Sequence, residues 1–315
     1  MAGAASANGF PACCPGSRPP KPFVFRCSRI IGDGISRSRV GQREHISGAT
    51  VERHFEHFLV RLLAATSGRQ CPRILGIHEH FFSRKLGYAT TLCDLKNHSV
   101  CDVVPGRSEA ALQDYFQRLQ GKDMVQVVCM DLSSTYRALV RQHFPNALIV
   151  ADRFHVIRLV NQHFLALGRQ LDPVGAQNRG LLSLMRRHAA NLSQAQRLKL
   201  DAYLASRPAL DTVYRFKQRL CYVLLYKHRT ARQCRNLAPR LLRTIYPLRQ
   251  CGFAPLETLG DTLHSWCHEI ARMWRFTRNN AITEGFHTKM EVLQRQAYGF
   301  RNFNNYRLRV KVLCS

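Results

Sequence analysis

The order of short apolar runs between residues 74 and 151 limits the folds that this chain can adopt. Three such runs come first, each about as long as a β-strand, and polar turns separate them. An amphipathic helix, a mostly apolar strand, a second helix and a second apolar strand follow. Continuous apolar strands that alternate with helices are typical of buried parallel strands. The segments are residues 74–77, 88–93, 100–104, 108–119, 125–130, 136–144 and 147–151.

This order matches a ribonuclease-H-like α/β core, in which helices flank a mixed five-stranded sheet. Beyond Asp152 the apolar spacing is helical, strand patterns are few and basic residues are frequent. The stretch from Asp152 to Glu284 is far longer than a loop needs. We therefore predict an all-α insertion, residues 161–277, within a core formed by residues 71–160 and 278–315.

The N-terminal part of the chain shows two patterns. Residues 1–45 are rich in Gly, Ser, Pro and Arg and have no sustained period, which predicts an irregular or disordered segment. Residues 46–70 carry one apolar helical stripe, with Arg53 on the opposite face. We predict a remnant of a helix-turn-helix DNA-binding region here. A helix that only packs against the next domain is the alternative.

Charge and composition indicate the partner and the compartment. The 47 Lys and Arg against 20 Asp and Glu give a net charge of +27, while 45% hydrophobic residues permit a folded core. The excess predicts a polyanion partner, with DNA first; RNA, heparin or anionic lipid is the alternative. No apolar run is long enough to span a membrane. The 12 cysteines form no CxxC pair, which favours free thiols in a reducing cytoplasm over a zinc ribbon.

Two acids stand where this fold would bring carboxylates together. Asp131 ends the predicted fourth strand, and Glu284 lies near the start of a late helix. Such acids can hold divalent cations that activate an attacking hydroxyl and stabilise a leaving oxygen, and Mg²⁺ prefers carboxylate ligands. From spacing alone, Asp131 as a helix N-terminal acid and Glu284 as an acid facing the helix dipole are the alternatives.

Two long motifs carry a resemblance to a known family. VVCMDLSSTYRALVRQHFPNALIVADRFHV and, far downstream, WRFTRNNAITEGFHTKMEVLQRQAYGFRNFNNYRLRV resemble the DDE-type transposases of the ISL-three insertion-sequence family. HEHFFSRKLGYATTLCDL and DVVPGRSEAAL are similar to the same family's first strands and first helix. The resemblance covers residues 46–315.

The resemblance implies an activity and roles for particular residues. It implies a bacterial, nucleoid-associated enzyme that cleaves and transfers DNA strands at insertion-sequence ends with Mg²⁺ or Mn²⁺. The partners would be terminal inverted repeats and target DNA, bound by a homo-oligomer. Asp131 would be the second catalytic acid and Glu284 the third, both metal ligands. Asp152 and His155 match a supporting acid-x-x-His motif, although a satisfied buried histidine is the alternative for His155.

The chain departs from the family at its first acid. The family has Gly-Ile-Asp-Glu on the first strand, and this chain has Gly76-Ile77-His78-Glu79. His78 can ligate a metal ion but adds no negative charge and cannot bridge two ions as a carboxylate does. Glu79 should point to the opposite face of the strand. We expect impaired strand transfer, and a catalytically inactive DNA-binding relic of a transposase is the alternative.

Two further predictions concern DNA contacts and the N-terminus. Arg53, Arg301, Arg307 and Arg309 are predicted to reach DNA phosphates, with a solvated basic face as the alternative. The family's N-terminal zinc segment has no counterpart in the cysteine spacing, so residues 1–45 are interpreted as a truncated or frame-shifted start.

Overall fold

A computed structural model describes residues 36–66, 71–276, 281–297, 299–300 and 302–314. These residues belong to two compact units. One contains the described residues up to Thr66 and those from Lys289 to Leu313, and the other contains the described residues from Cys71 to Thr288 and Cys314. Among the helices that the structure describes, none has both the length and the apolar character needed to cross a bilayer.

The larger unit is built on a mixed five-stranded sheet, as the sequence predicts. Its strands lie in the order β3-β2-β1-β4-β5. The β1–β2 and β2–β3 pairs are antiparallel, and the β1–β4 and β4–β5 pairs are parallel. The strands are β1 (Ile74–Ser83), β2 (Gly87–Asp94), β3 (Ser99–Pro105), β4 (Val127–Met130) and β5 (Leu148–Ala151). This arrangement confirms the ribonuclease-H-like α/β fold.

Local signals start the helices that connect these strands. The Ser108 side chain accepts a hydrogen bond from Ala111 N and caps α3 (Glu109–Arg118), which follows β3. Ser133 caps α4 (Ser134–His143) between β4 and β5 in the same way. Asp152 then caps α5 (Arg153–Leu171) directly after β5. Ser133 and Asp152 follow the carboxyl ends of β4 and β5. Because these two strands are parallel, both caps lie at the same edge of the sheet.

All the secondary-structure elements that the structure describes between residues 161 and 276 are helices, which agrees with the predicted all-α insertion. Part of this insertion packs on the sheet, because Leu224 and Trp274 share one buried apolar cluster with Leu75 and Ile77 of β1. Another part forms a separate buried cluster, which includes Leu184, Leu200 and Leu210. The helices are α6 (Arg179–Arg186), α7 (Gln194–Ala205), α8 (Pro208–Leu224), α9 (Ala231–Ile245), α10 (Ala254–Ser265) and α11 (Cys267–Arg272), with 3-10 turns at Gly175–Gln177, Ala189–Asn191 and Tyr246–Gln250.

The smaller unit contains two N-terminal helices, α1 (Arg37–Glu44) and α2 (Gly48–Thr66). The prediction that residues 1–45 are irregular is wrong for Arg37–Glu44; residues 1–35 lie outside the described part of the chain. Only Val40 and Gly41 of α1 are buried, so its apolar period is too weak to detect. Gly41 is required because a Cβ there would lie 2.5 Å from the Ile46 carbonyl oxygen.

The C-terminal helices are α12 (Ala281–Gln296) and α13 (Phe303–Leu313). Leu308 and Val312 of α13 pack against buried Val51 and Phe55 of α2. Residues 289–313 therefore group with the N-terminal helices, whereas the sequence predicts that they belong to the core. Sequence patterns did not reveal this grouping, because α13 packs against a helix that is remote along the chain.

Candidate metal centre

Strand register brings three polar side chains to one edge of the sheet. Ile77 of β1 pairs with Met130 of β4, and Met130 pairs with Ala151 of β5. The residue after each of these positions is polar: His78, Asp131 and Asp152. Because the strands are parallel, these three residues stand next to one another at the carboxyl edge. His78 Nδ1 lies 3.2 Å from Asp131 Oδ2.

His155, in the first turn of α5, joins this group. Its Nδ1 lies 2.6 Å from Asp152 Oδ2 and 3.0 Å from Asp131 Oδ1. Burial lowers the pKa of His155, but hydrogen bonds with Asp131 and Asp152 and their charges outweigh burial and raise the pKa to about 9. The imidazole is therefore a cation at neutral pH, and it holds two carboxylates together.

His78 is buried, and its two ring nitrogens have different surroundings. Nδ1 lies 3.2 Å from both the Asp131 carboxylate and the Glu79 carbonyl oxygen. Both neighbours are acceptors, so Nδ1 carries a hydrogen, and Nε2 is the ring atom left to bind a metal ion. In this cluster, His78 Nε2 and His287 Nε2 are buried and form no hydrogen bond within the described part of the chain.

Two more histidines extend the cluster. The His287 ring lies 5.0 Å from that of His78 and 5.2 Å from that of His80. Burial, with a contribution from His78, lowers the pKa of His80 to about 4. Burial and the neighbouring histidines likewise lower the pKa of His287 to about 3. Both rings are therefore neutral at physiological pH, and neutral rings can serve as metal ligands.

The cluster has the composition of a metal site. One nitrogen or oxygen atom from each of His78, Asp131, Asp152 and His155 lies within 4.8 Å of all the others.

A family model described as a transposase, that of the DDE transposases of the ISL-three group, matches residues 75–310. The chain belongs to this transposase family.

A curated relative agrees with this assignment. The transposase for insertion sequence element IS1001 from Bordetella parapertussis is 28% identical to the chain over 235 residues. The aligned region covers 71% of this chain and 56% of the relative. The chain thus spans about 56% of the length of the transposase that it matches.

This family implies a divalent metal ion, and the residues at the sheet edge fit one. His78 Nε2, which is buried and forms no hydrogen bond within the described residues, can ligate a metal ion, and the Asp131 carboxylate can supply oxygen ligands. A His78 nitrogen beside the Asp131 carboxylate suits Mn²⁺ or another transition metal better than Mg²⁺, which favours oxygen ligands.

The structure describes the backbone of Glu284, the third predicted acid, but not its side chain. Glu284 lies in α12, one helical turn before His287, and residues three apart share a helix face. His287 is in the cluster, which places the backbone of Glu284 on the element that reaches the site. The Glu284 side chain lies outside what the structure describes, so its role as a metal ligand remains a prediction.

Glu79 does not join the acidic cluster. Its carboxylate accepts hydrogen bonds from Arg107 Nη1 at 3.1 and 3.2 Å. The two residues line a cleft of about 890 Å³ together with His78, Asp131 and Arg158.

Sequence reasoning missed Arg107 and Arg158, two cations of this cleft. It also missed His80, although alternation along β1 puts His78 and His80 on the same face.

The predicted DNA-contacting arginines have different environments. Arg53 is exposed on α2, and Arg307 lies on α13. Arg309 is only 8% exposed, and its guanidinium carbon lies 4.6 Å from the centre of the Phe55 ring. This position gives Arg309 a packing role and does not support its predicted contact with phosphates. Arg301 lies outside the described residues.

Proposed function

We propose that this transposase cleaves and joins DNA phosphodiesters at insertion-sequence ends, and that His78 impairs the reaction. The observation that carries the proposal is the convergence of His78, Asp131, Asp152 and His155 at one sheet edge. Asp131 and Glu284 would hold the metal ion, and His78 would supply a nitrogen ligand. A bound divalent ion supplies activation of the attacking hydroxyl and stabilisation of the leaving oxygen.

The remaining groups position Asp131 and the DNA. His155 lies between Asp131 and Asp152, and its positive charge balances the two adjacent carboxylates. Arg107 and Arg158 line the same cleft and provide positive charge for a DNA phosphate. The net charge of +27 favours DNA as the partner. Binding of terminal repeats and target DNA by a homo-oligomer is part of the same proposal.

The impairment follows from the charge of the ligand set. A carboxylate at position 78 would add one negative charge next to Asp131, and the imidazole adds none. Neutral nitrogen cannot bridge two hard cations, so binding of a second Mg²⁺ should be weak. We therefore expect slow cleavage with Mg²⁺ and faster cleavage in the His78→Asp variant.

Nicking of labelled DNA that carries the insertion-sequence ends tests this function. Asp131→Asn and Glu284→Gln should each abolish metal-dependent nicking, while Asp123→Asn should not, because Asp123 is exposed and lies outside the cleft. Nicking that persists in the Asp131→Asn variant would exclude the proposed role of this residue. Equal rates for wild type and His78→Asp would refute the impairment.

A second candidate function is a DNA-binding relic that occupies ends without cutting them. His78 in place of an acid is the observation that favours it. This candidate predicts DNA binding with a steep salt dependence but no nicking with Mg²⁺ or Mn²⁺, even after His78→Asp. Restored nicking in that variant would instead identify the loss of the first acid as the sole defect.

A further inference from the structure

A second cavity lies in the all-α insertion, between α8 and α9. Its volume is about 490 Å³, within the range of small-ligand pockets. It shares no lining residue with the cleft at the sheet edge. Its walls include Phe216, Arg219 and Tyr222 of α8 and Arg240 and Arg243 of α9.

The charge of this cavity is not balanced by neighbouring acids. None of the residues that line it is acidic. Within the part of the chain that the structure describes, Arg219, Arg240 and Arg243 form no ion pair with a carboxylate. Other arginines of the insertion do so, namely Arg207 with Asp172, Arg215 with Asp211 and Arg249 with Asp261. The cavity therefore presents uncompensated positive charge, which suits an anionic ligand.

An exposed aromatic ring lies beside these cations. Tyr222 is 52% exposed, and its ring contacts that of Tyr226 edge-on at 5.2 Å. Arg240 lies 5.9 Å from the centre of the Tyr222 ring, and its Nη1 donates a hydrogen bond to the Tyr226 hydroxyl at 3.3 Å. These contacts orient the arginine and leave much of the tyrosine accessible.

An accessible ring flanked by arginines is the combination that binds single-stranded nucleic acid. The ring stacks on a base, and the guanidinium groups bind the adjoining phosphates. A base inside a duplex is already stacked on both faces and cannot use such a ring, so the ligand must be unpaired. A surface that only attracts duplex phosphates would not need the ring.

We propose that the cavity between α8 and α9 binds an unpaired nucleotide of DNA. The base stacks on Tyr222, and Arg219, Arg240 and Arg243 bind the phosphates on either side. This site is additional to the proposed cleavage function and needs no metal ion. Its test can therefore succeed or fail independently of catalysis.

Fluorescence anisotropy in metal-free buffer with a chelator tests the proposal. The probes are a thymidine oligomer of about 12 nucleotides, a length that one binding module covers, and a blunt duplex of equal length. We expect Tyr222→Ala to weaken binding of the oligomer about five-fold or more, the effect of losing one stacked base. Duplex affinity should stay unchanged, and Tyr222→Trp should retain oligomer binding.

Two matched variants control for general effects. Tyr246→Ala removes a tyrosine of the same insertion that is 59% exposed and does not line the cavity. Arg232→Gln removes an exposed arginine of α9 that also lies outside the cavity, for comparison with Arg240→Gln. Neither control should alter the preference for the oligomer over the duplex.

The following outcomes would overturn the proposal. Unchanged oligomer affinity in Tyr222→Ala would exclude stacking on this ring, and an equal loss for oligomer and duplex would indicate a site for duplex phosphates. Photocrosslinking of an iodouracil-containing oligomer gives an independent readout. The adduct should fall on the peptide that contains Tyr222, and adducts confined to other peptides would contradict the proposal.

Discussion

At the scale of single residues, position 78 decides the chemistry of the sheet edge. By the resemblance, His78 would occupy the place of the family's first acid, and its Nδ1 lies 3.2 Å from Asp131 Oδ2. A nitrogen donor here lowers the negative charge of the site and favours metal ions that bind imidazole. We expect the replaced acid to alter the metal preference, while the strand and its register keep the side chain in the site.

This difference predicts a change in metal selectivity. Wild type should bind Mn²⁺ more tightly than Mg²⁺, and His78→Asp should improve Mg²⁺ binding by about ten-fold or more, because unit charges about 4 Å apart attract by several kcal/mol in a protein. Competition of Mg²⁺ against Mn²⁺, followed by the electron paramagnetic resonance of free Mn²⁺, measures the effect. His98→Asp is the control, since His98 is exposed. The same Mg²⁺ affinity in wild type and His78→Asp would show that position 78 does not contribute to metal binding.

At the scale of helices and strands, buried cations fix the ends of helices. Arg153 is 5% exposed, and its Nη2 donates hydrogen bonds to the Tyr226 and Met273 carbonyl oxygens. Arg153 lies between Asp152 and His155 in sequence. One short segment therefore provides two residues of the candidate metal site and the arginine that hydrogen-bonds to the insertion. Lys217 of α8 does the same for the C-terminal end of α6.

Lys217 should matter for stability. Its Nζ donates hydrogen bonds to the carbonyl oxygens of Met185 and Arg186 at 2.6 and 2.9 Å. Lys217→Met leaves the buried Met185 carbonyl and the partly buried Arg186 carbonyl without this donor, so we expect the free energy of unfolding to fall by about 1–3 kcal/mol. Urea denaturation followed by circular dichroism measures this change. Lys199→Met, on an exposed face of α7, should change it by less than about 0.5 kcal/mol. Equal stability of the two variants would contradict the role of Lys217.

At the scale of the whole molecule, the excess of positive charge predicts how DNA binding responds to salt. The charge of +27 should make the affinity for any duplex fall steeply as salt is added, since bound phosphates release counterions. With about 6–10 phosphate contacts, the logarithm of the affinity should fall with a slope of about −5 to −9. Anisotropy titrations at several salt concentrations measure the slope. A slope near zero would exclude the electrostatic mode of binding.

The local patterns that sequence reasoning used are those that short segments determine. The apolar runs of β1, β2, β4 and β5 and the helix start at Ser108 depend on neighbouring residues, and the structure contains them. Asp131 was found because it ends an apolar strand. Helix α1 was missed because it has almost no apolar stripe, and its glycine serves a close backbone contact.

The sequence alone determined the fold class, the all-α character of the insertion and the polar residues that follow β1, β4 and β5. Only the tertiary structure decided that His78, Asp131, Asp152 and His155 meet, that His80 and His287 join them, and that Arg309 is buried. Periodicity and capping depend on residues a few positions apart. Register between strands and packing between remote helices depend on contacts that no local pattern records.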